Sequence, residues 1–251
     1  MNGWEQYGID HSSVSQINTI ETNPALWLAE KVFKIKRPAS SAMFRGIVTE
    51  DAVAATLLGA EMGASVKAAE EDFDTRVGIS VSEKDGKERA GIAPMTAFAV
   101  DELKGFGEPE FDLGDQRKVE MMCSGDGWKL PIIGFLDFVY PKHGLVVDLK
   151  TTMRLPSKMS EAHRRQRCFY QKCSGDNQSV KFLYVTPKKF GWLEDGDVDE
   201  ELALMKAHLN AMEKFLSISA DKEYLASIMP VDPTHFFWNG SIDERKRIFG
   251  R

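Results

Sequence analysis

Polar and apolar positions along the chain change period partway through. Up to about residue 110 the apolar residues recur at helical spacing. Asn23-Pro24 ahead of ALWLAEKVF puts a capping side chain and a proline at a helix start, and Leu26, Trp27, Glu30 and Phe33 mark its turns. A basic segment, Lys34 to Pro38, follows. Ser40 or Ser41 then caps a second helix through MFRGIVTEDAVAATLL to about Leu58, and this helix carries Glu50. Between 59 and 110, alanine-rich helical patterns near 64–76 and 88–104 flank a polar turn at Ser82 to Gly86, and Pro94 interrupts the second. That stretch reads as a helical insertion.

From residue 116 the period shortens to two. QRKVEMMC, KLPIIGFLDFVY and GLVVDLKTT are strand-like runs, joined by turn signals at Ser124 to Gly127 and Pro141 to Gly144. Two hairpins in sequence predict a three-stranded antiparallel meander. A polar helical stretch from about Lys158 to Lys172, a buried strand VKFLYVTP and a helix from about Asp199 to Ser217 follow. The order is helix, three strands, helix, strand. The tail after Pro230 is aromatic at HFFW and basic at Arg245 to Arg247, and its place in the fold is not readable.

Charge interrupts the strands at two points. In GLVVDLKTT, residues two apart share a face, so Asp148 and Lys150 project together from one strand end. Taken alone, that pair reads as a surface salt bridge worth under about 1 kcal/mol. Asp137, however, lies among Ile132, Ile133, Phe135, Leu136, Phe138 and Val139, where an ionised carboxylate is costly unless paired or metal-bound. A hairpin between the two runs would bring Asp137 and Asp148 close together. Like charges that near each other need a cation, and carboxylate oxygens suit magnesium or manganese with substrate phosphate completing the shell. The residue types point to phosphate-ester chemistry.

Composition narrows the setting. The 251 residues, 43% hydrophobic and 28% charged, are enough for a full core. No apolar run approaches the roughly 20 residues of a membrane helix, and the first residues lack a secretory signal, so the expectation is the cytoplasm, with no membrane partner. Three cysteines, Cys123, Cys168 and Cys173, are too few for a disulfide framework or an iron–sulfur cluster. A net charge of −6 argues against wholesale coating of nucleic acid but allows a local basic groove.

Gly134-Phe-Leu-Asp137, then Asp148-Leu-Lys150, then Gln166 and Tyr170 four residues apart resemble, in order, the GxxD, (D/E)xK and QxxxY motifs of RecB-like nucleases in the PD-(D/E)XK superfamily. Arg45-Gly46 followed by Glu50 resembles the helix with the first acid in phage recombination exonucleases related to lambda exonuclease. The absence of a histidine beside Glu50 favours that type over the RecB type.

The resemblance spans about residues 40–187. It implies an α/β fold with a mixed sheet, the α-βββ-α-β nuclease core. Around that core it implies one nuclease domain over residues 1–251, with the helical insertion near 59–110, helical N-terminal residues and a C-terminal helical extension near 194–251. Glu50, Asp137 and Asp148, with the carbonyl of Leu149, would hold one or two Mg2+ ions, Mn2+ substituting. Lys150 would orient or activate the water that attacks the phosphorus in line. Gln166 would meet the lysine or the phosphate, and Tyr170 the DNA strand. Arg45, Lys36, Arg37, Arg164, Arg165 and Arg167 are candidate nucleic-acid contacts, or else solvated charges.

The implied activity is a metal-dependent DNA exonuclease that processes ends in phage-type recombination, repair or DNA degradation. The implied partner is double- or single-stranded DNA, with a single-strand annealing or binding protein and a homo-oligomer as further candidates. If the chain is phage-encoded, the compartment is the host cytoplasm. Two alternatives stand beside this: an endonuclease of the same fold, and a catalytically silent nucleic-acid-binding protein. No Walker A motif is present, so ATP-driven unwinding would come from a partner.

Overall fold

The computed structural model describes residues 2–78, 82–111, 117–121, 128, 130–235, 238 and 240–250, with the backbone alone at 117–121. The described residues begin with α1 (Gly3–Gln6), α2 (Val14–Thr22), α3 (Pro24–Lys31), α4 (Ser41–Leu57), α5 (Met62–Val77), α6 (Glu83–Ala90) and α7 (Ile92–Leu103). Then come β1 (Arg117–Met121), β2 (Ile132–Leu136), β3 (Phe138–Tyr140), β4 (Leu145–Thr151), α8 (Glu161–Ser174), β5 (Ser179–Val185) and β6 (Phe190–Leu193). The chain closes with α9 (Val198–Leu216), α10 (Lys222–Ile228) and α11 (Ile242–Phe249).

Packing divides these elements into two compact units: Met1–Pro38, Glu120–Gly134 and Asp197–Arg251 in one, Ala39–Val119 and Phe135–Gly196 in the other. The first is mainly helical. Asn23 caps α3 through the Leu26 N–H with Pro24 at the first position, as its sequence predicts. Trp4 and Trp27 meet edge to face with ring centres 5.9 Å apart, and a Cβ on Gly3 would collide with the Glu213 carbonyl of α9. The tail supplies α11, whose Phe249 packs against Trp238.

The second unit holds a four-stranded mixed sheet in the order β3-β4-β5-β6. β3 and β4 are antiparallel, β4 and β5 parallel, β5 and β6 antiparallel. The parallel pair is joined by α8, the crossover such a pair requires. Phe138, Tyr140, Val147, Leu149, Leu183 and Val185 form one apolar face against Val53 of α4 and Met95, Ala99 and Leu103 of α7. At the entry to β4, Gly144 has φ +56°, and a Cβ there would lie 2.8 Å from the Asn177 carbonyl. Among the described residues, no helix is long and apolar enough to cross a membrane.

Four expectations change. The run KLPIIGFLDFVY is two strands, broken by a bend at Asp137: β2 pairs with β1 in a separate two-stranded sheet, while β3 pairs with β4. The expected single meander is therefore not formed. β3 instead meets the chain at Glu110, whose N–H donates to the Val139 carbonyl at 2.8 Å. β6 was not anticipated.

Ser82 to Gly86 is a helix start rather than a turn: Ser82 and Asp85 form a reciprocal capping box on α6. The helical break falls at Gly91, and Pro94 sits in the first turn of α7, where a missing N–H costs nothing. The turn signal at Ser124 to Gly127 and the residue Cys123 lie outside the described residues.

Candidate active site

The C-terminal half of β4 presents its apolar and charged residues to opposite sides. Val147 and Leu149 join the core under α4 and α7, so Asp148 and Lys150 face the side covered by α8. Asp148 is 1% exposed, and its Oδ1 is ion-paired with Lys150 Nζ without hydrogen-bond geometry. The Lys150 ammonium also lies 5.1 Å from the centre of the Phe182 ring, and its side chain is 22% exposed. The bend at Asp137 turns that carboxylate toward the same strand end. Its Oδ2 accepts the Leu149 N–H at 2.8 Å, fixing one acid to the backbone that carries the other.

Charge follows from this crowding. Burial, then Asp148 and Glu50, raise the Asp137 carboxyl well above the usual aspartate range, against Lys150 and the Leu149 N–H. Burial also raises Asp148, with Lys150 opposing. For Lys150, burial favours the neutral amine, but Asp148, Asp137 and Glu50 outweigh it, so its pKa is raised. Lys150 is accordingly an ammonium at neutral pH. Glu50, half-buried on α4, joins the group through its charge on Asp137 and Lys150.

On α8, Gln166 faces the acids rather than the lysine. Its amide donates to Asp148 Oδ2 and to the Tyr170 hydroxyl, each at 3.0 Å. Tyr170 is 5% exposed, and burial first, then Asp148 and Asp137, raise its pKa. A ring buried in this way holds Gln166 and is not presented for contact with a nucleic-acid strand.

His163, one turn before Gln166, went unanticipated. Its Nδ1 lies 2.7 Å from the Tyr184 hydroxyl, and burial, then Lys150, lower its pKa to about 4, so the ring is neutral. The helical spacing of His163, Gln166 and Tyr170 was the available signal.

The basic candidates divide sharply. Arg45 is 4% exposed: it is ion-paired with Glu88, and its Nη2 donates to the Thr151 carbonyl at 3.1 Å. Arg165 is 2% exposed. Arg167 spends its donors on the carbonyls of Val180, Asp195 and Gly196. The expectation that Arg45 and Arg165 face nucleic acid is thus corrected, because burial removes them from the surface, while Arg167 is half-buried. Arg164 is half-buried, and its stem and Cys168 close on Gly196. Lys36 is exposed, and Arg37, paired with Glu30, belongs with it to the other unit.

The donor set can be tested against a divalent cation. Among the described residues, no three His, Cys, Asp or Glu side chains converge tightly enough to ligate one ion by themselves. Magnesium does not require that, since it binds through one or two carboxylates with water and phosphate completing the shell. Asp137 and Asp148 supply two hard oxygen donors in a buried place where Asp148 raises the cost of charging Asp137, and the cation beside them is Lys150. These residues fit a hard divalent ion.

A family model described as the PD-(D/E)XK nuclease superfamily matches residues 11–228. A search of curated proteins gives no match.

Proposed function

The chain belongs to the PD-(D/E)XK nuclease superfamily, and from that premise we propose that it is a divalent-metal-dependent deoxyribonuclease acting as an exonuclease on DNA ends, of the phage-recombination kind related to lambda exonuclease. The observation that carries the hydrolytic reading is the buried pair Asp137 and Asp148 beside the Lys150 ammonium at one strand end. The exonuclease reading leans on the Arg45-Gly46…Glu50 pattern of α4. End processing for recombination, repair or degradation, alongside a single-strand annealing or binding protein, is the role that fits such an activity.

Asp137 and Asp148, with Glu50 and the Leu149 carbonyl, are the groups proposed to hold Mg2+ or Mn2+. Bound there, such an ion lowers the pKa of water and stabilises charge on phosphoryl oxygens. Each residue of the chain then has a task. The Leu149 N–H orients Asp137, and the Gln166 amide orients Asp148, so neither carboxylate needs to reorganise when substrate arrives.

Lys150, beside three acids, would donate hydrogen bonds to the scissile phosphate and orient the attacking water. Tyr170 fixes Gln166 from behind.

Digestion of end-labelled linear duplex and single-stranded DNA with Mg2+, Mn2+ or EDTA, beside a closed circular control, tests this reading. Metal-dependent release of nucleotides from ends, with circles intact, is the expected result. Cleavage of circles would replace the exonuclease with an endonuclease of the same fold, and no cleavage under any metal would leave a nucleic-acid-binding protein.

A further inference from the structure

Outside the acidic group, one buried ion pair of the second unit joins α4 to the helical insertion. Arg45 reaches in three directions from α4: Nη1 pairs with Glu88 of α6, Nη2 donates to the Thr151 carbonyl at 3.1 Å, and Nε lies 3.3 Å from Thr151 Oγ1. Glu88, in the insertion, is itself buried. We infer that Glu88 is a positioning residue for hydrolysis: through Arg45 it fixes Thr151, and with it the end of β4 that carries Lys150. The inference rests on the function proposed above and deepens it, by giving a residue of the helical insertion a part in that reaction.

Packing supports a built bridge rather than a chance contact. At Gly46, a Cβ would lie 3.5 Å from Thr151 Oγ1, so α4 approaches β4 closely at the residue next to Arg45. At Gly91, between α6 and α7, a Cβ would lie 3.5 Å from Arg45 Cδ and 3.2 Å from Met95 Cε, so the helical junction lies against the arginine's stem. The planar guanidinium can therefore serve acid, carbonyl and hydroxyl at once, which a lysine cannot.

Thr151 is the last residue of β4. Beyond it, the Thr152 N–H donates to the Val185 carbonyl at 2.9 Å. The peptide segment just after Lys150 is thus pinned on two sides, by the β5 end and by Arg45. A buried arginine that loses its acid has to find another partner, and its hold on Thr151 goes with the rearrangement.

The full chain as wild type, Glu88→Gln and Arg45→Lys is assayed on linear duplex DNA with Mg2+ for kcat and KM, with DNA binding measured in EDTA and folding checked by circular dichroism. Glu88→Gln is expected to lower kcat by about tenfold to a hundredfold, the range that small misplacement of a reacting group produces. KM and DNA affinity should stay within about twofold. Arg45→Lys keeps a charge beside Glu88 but loses the fork to Thr151, and it should lower kcat similarly.

A folded Glu88→Gln with wild-type kcat overturns the inference. So does a raised KM at unchanged kcat, which would make Arg45 a substrate contact. If Glu88→Gln fails to fold, Arg45→Lys decides: reduced kcat supports the bridge, and unchanged kcat overturns it. An inactive wild type overturns both this inference and the proposed function, whereas an active wild type with an indifferent Glu88→Gln overturns this inference alone.

Discussion

Two buried ionic groups lie on either side of the last residues of β4, and they are built on opposite terms. Around Arg45 the charges balance: one guanidinium meets Glu88, and its remaining donors meet the oxygens of Thr151. Around Lys150 they do not, since one ammonium faces Asp148, Asp137 and Glu50 together. A balanced pair holds structure, while an excess of buried carboxylate is a standing electrostatic demand for a further cation. The difference explains why Arg45, which shares a helix with Glu50, is spent inside the protein.

The largest expected effect is on turnover. Lys150→Ala and Asp148→Asn should each lower kcat on DNA by at least about 10²–10³-fold, the loss typical of removing one preorganised electrostatic group. Release of end label at one fixed Mg2+ concentration measures it. Wild-type turnover in Lys150→Ala or Asp148→Asn would erase the distinction between the two groups.

Stability should separate the groups by sign. Glu88→Ala leaves the Arg45 guanidinium buried without its acid and should cost about 3–5 kcal/mol in denaturant unfolding. Asp148→Asn removes one of the crowded carboxylates and should stabilise the metal-free protein, as neutralising a strained functional site commonly does. If both substitutions destabilise the protein in EDTA by the same amount, the acids at Lys150 are not in electrostatic excess.

The smallest effect is a slope. His163 titrates near pH 4 in the folded chain, below its ordinary value of 6.5. Its contribution to stability is present above about pH 6.5 and is lost as pH falls toward 4, because the unfolded chain takes up the proton first. Asp137 and Asp148 act in the opposite direction: their raised folded values mean that stability is greatest at low pH and declines as pH rises through them. Comparing urea unfolding of wild type and His163→Asn at pH 7 and pH 5 isolates the histidine. The variant should lose less stability on acidification, and an identical loss would place the His163 ring outside the polar group.

Much of the candidate site was legible because its signals are local. Asp148 and Lys150 sit two apart in an unambiguous strand, Gln166 and Tyr170 four apart on a helix, and Asn23 and Ser40 announce their helices by capping. What could not be read depends on partners far along the chain. Arg45 finds Glu88 and Thr151 at separations of 43 and 106 residues, and nothing in RGIVTE distinguishes an inward guanidinium from an outward one.

The bend at Asp137 is hidden for a different reason: apolar residues continue on both sides of it, and the carboxylate's partner there, the Leu149 N–H, lies twelve residues along the chain. β6, at four residues, has too short a pattern to separate from a loop. At Ser82 the sequence is ambiguous, because Ser-x-x-Asp serves both a turn and a capping box, and the choice depends on whether a helix follows.

Cation binding tests the contrast between the two groups most directly. Titration of Mn2+ into the EDTA-stripped full chain, followed calorimetrically without nucleic acid, should show saturable binding for the wild type. That binding should be lost in Asp137→Asn and Asp148→Asn and retained in Glu88→Gln. Binding that survives both aspartate substitutions, or that disappears equally with Glu88→Gln, would contradict the assignment of the open charge at the end of β4 to a divalent ion.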